Sequence, residues 1–248
     1  MDYFDESDTS SSFEEGSRRR RKTFIAWLQE KPNGQSLLAT VPKPYLCDDF
    51  NLVDIEQGMP MDRSSEYDLG DLLEIIKGEA PSAEMLKRDG RLVELATTLY
   101  LLIHQRYVQT RPGQQAMETI VEGPGRVPCR RVYCEGTGMI PIGESSGIGG
   151  GPVRFWCPGC REIYVVGTGT TVTLDGAAFG PNFPLMYLMG YKGMTGPQIM
   201  QGRAENRIYE PRIYGFRVRQ GISTFKGRQK QKYEQKYELD DSNNKTTL

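Results

Sequence analysis

Four of the five cysteines fall into two close pairs. Cys129 and Cys134 enclose four residues, Cys157 and Cys160 enclose two, and 22 residues separate the pairs. Thiolates two to four residues apart can leave one tight turn and meet a single ion at ~2.3 Å, and a second such turn completes a tetrahedron. The turn chemistry agrees, with Pro158 and Gly159 inside the second pair and Gly136 and Gly138 just after the first. In an intracellular chain this spacing predicts a structural Zn²⁺, one per chain, in a zinc ribbon. Four protein ligands leave no position for water or substrate, so the ion is expected to hold a fold rather than do chemistry. Two disulfides are the main alternative, disfavoured by a reducing compartment, and a rubredoxin-like iron site is another. Cys47 stands outside the set and reads as a buried thiol acting as a small hydrophobe.

The compartment is inferred from what the chain carries. Its 248 residues give room for one large or two small domains, and 38% hydrophobic residues suffice for a core. Residues 1–15 are acidic and followed by a basic run, unlike a signal peptide. No apolar stretch approaches the ~20 residues of a membrane helix. A soluble intracellular protein is expected, resident in nucleus and cytoplasm, with no membrane partner.

The organisation predicted along the chain is α+β. Residues 1–22 read as a disordered tail, acidic and then basic. Ser11 and Ser12 each precede a glutamate by three residues and are candidate phosphorylation sites. The run Arg18–Lys22 reads equally as a nuclear localisation signal or a solvated linker. Residues 23–121 form a helical domain. Phe24, Trp27 and Leu28 share a helical face, as do Leu69, Leu72, Leu73 and Ile76, with Ser64 or Ser65 as cap. The longest apolar stripe runs Leu92, Leu95, Ala96, Leu99, Leu102, Ile103, Tyr107. Asp48 or Asp49 can cap a short turn, and a last helix starts near Pro112 and stops at Gly123. Residues 122–190 form the β-rich ribbon, with Gly147–Gly151 as a flexible loop. Residues 191–224 carry a hairpin-like segment, and 225–248 read as a disordered tail.

No catalytic motif appears. There is no phosphate loop, no G-x-S-x-G and no H-E-x-x-H. His104, the only histidine, has no acid–base partner at helical spacing and reads as structural.

Arg126, Arg130, Arg131, Arg154 and Arg161 cluster in sequence around the cysteines and offer a nucleic-acid-binding zinc ribbon as the alternative function. The net charge of −1 weighs against nucleic acid. Val132, Tyr133, Phe155, Trp156, Ile163 and Tyr164 are too bulky for so small a ribbon to bury them all. Some should face a partner, and a symmetric homodimer is the commonest way to cover such a patch.

The segments "CRRVYCEGTGMIPIG", "CPGC", "DGAAFGPNFP" and "PRIYGFRV", with "DDFNL" and "LYLLIHQRYVQT" upstream, resemble the regulatory (beta) subunit of casein kinase II over roughly residues 24–220. The resemblance implies a non-catalytic chain that dimerises through its ribbon and holds two catalytic (alpha) subunits of this Ser/Thr kinase in a heterotetramer, modulating stability, activity and substrate choice. It implies zinc ligands Cys129, Cys134, Cys157 and Cys160. It implies a dimer surface around Pro128, Val132, Tyr133 and Ile163, with Arg130 and Arg131 at its rim. It implies a catalytic-subunit contact at Arg212, Ile213, Tyr214 and Phe216, where Tyr214 and Phe216, two apart in a strand, point the same way. The acidic loop that the family carries between its N-terminal helices has no counterpart. Here "KGEAPSAEMLKRDG" sets Glu79, Glu84 and Asp89 against Lys77, Lys87 and Arg88.

Overall fold

The computed structural model describes residues 22–31, 35–60, 67–165, 173–200 and 210–218. Ser11, Ser12, Ser64, Ser65, most of the basic run and the C-terminal tail lie outside these residues. Two units separate, residues 1–205 and residues 206–248.

In the first unit, local chemistry sets the helix starts. Thr23 accepts a hydrogen bond from the Ala26 amide at the head of α1 (Phe24–Gln29). A short α2 (Lys43–Leu46) follows, and Asp48 caps the 3-10 turn after it by accepting from the Phe50 amide. Asp68 and Asp71 form a reciprocal capping box on α3 (Leu69–Lys77), and Ser82 caps α4 (Ala83–Arg88). Each such cap contributes about 1 kcal/mol. Thr110 caps α6 (Arg111–Glu122), with Pro112 in its first turn and Gly123 at its end.

The central element is α5 (Gly90–Tyr107). The expected stripe is there, widened by Val93, Tyr100 and Leu101 and without Leu92, which is only partly buried. A helix apolar on so much of its circumference is enclosed by neighbours rather than laid on a surface. Two polar groups on it tie down the incoming chain. The Tyr100 hydroxyl donates to the Ala39 carbonyl (2.9 Å) and accepts from the Val41 amide (3.3 Å). His104 Nε2 accepts from the Ala39 amide at 2.9 Å, and its Nδ1–H donates to the Ala178 carbonyl at 2.7 Å. The ring is fully buried and packs edge-on against Phe179.

That burial pushes the His104 imidazole down to about 4, against the opposing pull of the Ala178 hydrogen bond. The native state therefore holds it neutral, while the unfolded chain takes up a proton below about 6.5. Its contribution is fully present above that pH and is lost as pH falls toward 4. The slope approaches 1.4 kcal/mol per pH unit, about 3 kcal/mol in all. Denaturant unfolding at pH 7, 5.5 and 4.5 should show His104→Gln with a shallower acid loss than the wild type. Every other titrating group adds the same acid dependence to both proteins, so parallel slopes would count against this role.

After α6 the chain forms an antiparallel sheet in the order β1 (Ile140–Ile142), β2 (Arg154–Trp156), β3 (Ile163–Tyr164). Ile140 opposes Trp156, and Phe155 opposes Tyr164. Because strand side chains alternate faces, the sheet is a partition. Ile140 and Trp156 pack on the main core; Phe155, with Met139 just before β1, packs on a second, smaller core. The main core draws Val153, Leu174, Phe179, Phe183 and Tyr187 from beyond residue 122. Two glycines permit close backbone approaches. A Cβ on Gly143 would stand 2.1 Å from the Gly176 carbonyl oxygen, and one on Gly138 would stand 2.4 Å from that of Val121. The second approach seats the first cysteine turn against the end of α6.

The loop Gly147–Gly151 is held rather than free. Asp175 accepts from the Gly149 amide at 2.7 Å, and Gly151 accepts from the Gly176 amide at 2.9 Å. Downstream, α7 (Phe183–Met186) runs into a π turn (Tyr187–Tyr191), and Lys192 then bridges Glu118 and Glu122 of α6. A short α8 (Gly196–Met200) closes the described part of this unit. No helix among the described residues is long and apolar enough to cross a membrane.

The second unit is, among its described residues, a hairpin of β4 (Arg212–Ile213) and β5 (Phe216–Arg217).

Candidate metal centre

Cys129, Cys134, Cys157 and Cys160 are all buried, and their sulfurs lie within 4.8 Å of one another. Two tight turns bring them there. In the first, the Cys129 amide donates to the Thr137 carbonyl (2.8 Å) and the Thr137 amide to the Cys134 carbonyl (2.9 Å). In the second, the Arg161 amide donates to the Cys157 carbonyl (2.7 Å) and the Cys157 amide to the Glu162 carbonyl (3.0 Å). In both, the residue after the second cysteine is left-handed: Glu135 at φ 51 and Arg161 at φ 62. Gly136 continues the first turn at φ 71, a conformation glycine adopts without steric cost.

The sulfur spacing tests what the site fits. Cys129 lies 3.9 Å from Cys160, and Cys134 lies 3.9 Å from Cys157. A disulfide would need about 2.05 Å, and all four thiols are free. A tetrahedral ion with metal–sulfur bonds of about 2.3 Å sets its sulfurs about 3.8 Å apart. Burial pushes the Cys134 thiol up, helped by contacts with Cys129 and Cys160, and pushes Cys157 up to about 11. Cys160 goes down to about 7. Burial opposes its ionisation, but the Tyr164 hydroxyl, the Glu162 backbone and the neighbouring sulfurs outweigh burial. A cation among these sulfurs reverses the resistance to ionisation, since coordination deprotonates a thiol outright. Around them, among the described residues, the second core holds Met139 and Phe155 as further buried residues, with Leu37, Val127, Tyr133 and Tyr164 only partly buried against it. So few apolar side chains cannot hold two turns together unaided, and the donor set fits a structural metal.

The remaining expected residues divide by exposure. Val132 is 62% exposed on the 3-10 turn Val132–Cys134, and Ile163 is 52% exposed on the sheet-edge strand β3. Pro128 is exposed, while Tyr133 is half-buried against the sulfur core. Val165, also exposed, extends the apolar edge of β3 and was not anticipated. Tyr164 was anticipated only as a bulky residue; its hydroxyl lies 3.1 Å from the Cys160 sulfur. The signal was its place at the first inward position of the strand leaving the second turn. Of the arginines, Arg154 is taken by Glu144 at 2.7 Å. Cys47 is not the buried hydrophobe expected. It sits exposed at the C-cap of α2, where the polar turn Asp48–Asp49 carries it to the surface.

The hairpin also corrects a detail. Tyr214 is not in a strand beside Phe216. Tyr214 (φ 49) and Gly215 (φ 83) are the two turn residues, with φ positive at both as in a type I′ hairpin. Tyr214 is 97% and Phe216 80% exposed, and Arg212 and Ile213 are exposed too. Glu210 pairs with Arg217 at 3.1 Å.

Comparison with known proteins supplies the family. The family model of the casein kinase II regulatory subunit matches residues 23–217. Putative casein kinase II subunit beta-4 of Arabidopsis thaliana is 33% identical over 217 residues, covering 86% of this chain and 72% of the relative. Casein kinase II subunit beta of Saccharomyces cerevisiae is 28% identical over 243 residues, covering 86% and 84%. Casein kinase II subunit beta' of Drosophila melanogaster is 30% identical over 196 residues, covering 79% and 84%. The matched span contains the four-thiol cluster, the sheet around it and the Tyr214 hairpin, so this chain belongs to the casein kinase II regulatory subunit family and is a regulatory chain, not a catalytic one.

Proposed function

We propose that this chain is a zinc-dependent homodimer that scaffolds two casein kinase II catalytic subunits in a heterotetramer and so modulates their stability, activity and substrate choice. The observation that carries the reading is a metal-fitting cluster whose own small element leaves Val132, Ile163 and Val165 exposed. Zinc bound by Cys129, Cys134, Cys157 and Cys160 supplies the cross-link that this element lacks in apolar core. The turns then present those side chains in one fixed arrangement, which a second copy can cover isologously.

The hairpin supports the second half of the reading. Two strands alone are marginal in water, yet this pair carries exposed Ile213, Tyr214 and Phe216. Aromatic side chains of this kind concentrate binding energy when a partner pocket takes them. The exposed Arg212 provides a polar rim. The test is the native mass of the complex assembled with a catalytic subunit, expected to contain two copies of each chain and two zinc ions.

A further inference from the structure

We infer that Tyr164 and Arg131 form an outer shell on Cys160 that sets how tightly the four-thiolate centre retains its ion. The inference rests on the zinc reading above. Four thiolates around one divalent ion leave a net charge of minus two in a buried site, which is costly unless nearby groups offset it. The Tyr164 hydroxyl stands 3.1 Å from the Cys160 sulfur. A thiolate can only accept, so with the site loaded the hydroxyl donates. The Arg131 guanidinium interacts with the same two groups, the Cys160 sulfur and the Tyr164 hydroxyl.

The topology makes this a clamp across the site. Arg131 lies between the first two cysteines, and Cys160 closes the second pair. Tyr164 is set by β3, where it opposes Phe155, a buried member of the sulfur core. One turn therefore sends a positive charge, and the strand leaving the other turn sends a hydroxyl, to the same ligand. Arg131 is thus a charge partner of the centre, and Tyr164 is a positioning residue.

The test uses the full chain loaded with zinc and titrated with a chromophoric chelator. Tyr164→Phe keeps the ring and removes only the donor. Arg131→Gln removes the charge from an exposed side chain whose loss cannot open the core. Each should weaken zinc retention by roughly 10–100-fold, the usual effect of losing an outer-shell partner. Arg131→Lys should recover part of the loss. In cobalt-substituted protein, Tyr164→Phe should also shift the sulfur-to-metal charge-transfer band, which a purely packing role of the ring would not do. Wild-type retention together with an unshifted cobalt band in Tyr164→Phe overturns the inference and leaves the zinc reading standing. A wild-type chain that carries no zinc overturns both.

Discussion

Cys157→Ser should abolish zinc binding and reduce the chain to a monomer. Cys157 is fully buried among the other three sulfurs, and a serine oxygen there is a shorter and much poorer ligand for the ion. Apart from the sulfurs, the second core has Met139 and Phe155 as its buried residues. Structural zinc in small domains supplies on the order of 10 kcal/mol of folding free energy, more than two apolar side chains can replace at about 2 kcal/mol each. The damage should also spread, because Met139 faces the sulfur core while the next residue, Ile140, is part of the main core. Metal analysis with light scattering measures both losses. Cys47→Ser is the control: exposed and outside the cluster, it should leave zinc and mass unchanged. A zinc-free Cys157→Ser protein that remains dimeric would show that the metal does not support the dimer surface.

Phe216→Ala should weaken binding to a catalytic subunit by about 2 kcal/mol or more, some 30-fold, without changing the homodimer. Phe216 is 80% exposed and opposes Ile213 across the hairpin. With so little burial in the free chain, its truncation costs the fold little, and the loss should appear in the complex. Calorimetry with the isolated catalytic subunit reads the affinity, and light scattering reads the dimer. Unchanged affinity would remove the hairpin from the interface.

The four-thiol cluster was legible because ligand chemistry is local: two short cysteine spacings already fix which four sulfurs can meet. The Asp48 cap was legible for a similar reason, since it acts on an amide two residues away, whereas α3 is capped by Asp68 and not by the expected Ser64 or Ser65. What lies across the fold was not legible. Nothing in the spacing around His104 indicates that its two nitrogens reach Ala39 and Ala178, 65 and 74 residues distant. Nor does periodicity reveal that Phe179 and Phe183 join the core around α5. The hairpin was read as alternating strand through Tyr214, although Tyr-Gly is also a two-residue turn. A tyrosine at positive φ is uncommon, so residue preference alone pointed away from the observed turn.

In the assembly proposed above, a metal-fixed dimer of this chain gathers two kinase catalytic chains. Native mass spectrometry of the complex purified after co-expression with a casein kinase II catalytic subunit tests it most directly. One species is expected, with two copies of this chain, two of the catalytic chain and two zinc ions, and it should break into smaller species when zinc is stripped. A complex with one copy of each chain, or a tetramer that persists without zinc, would contradict it.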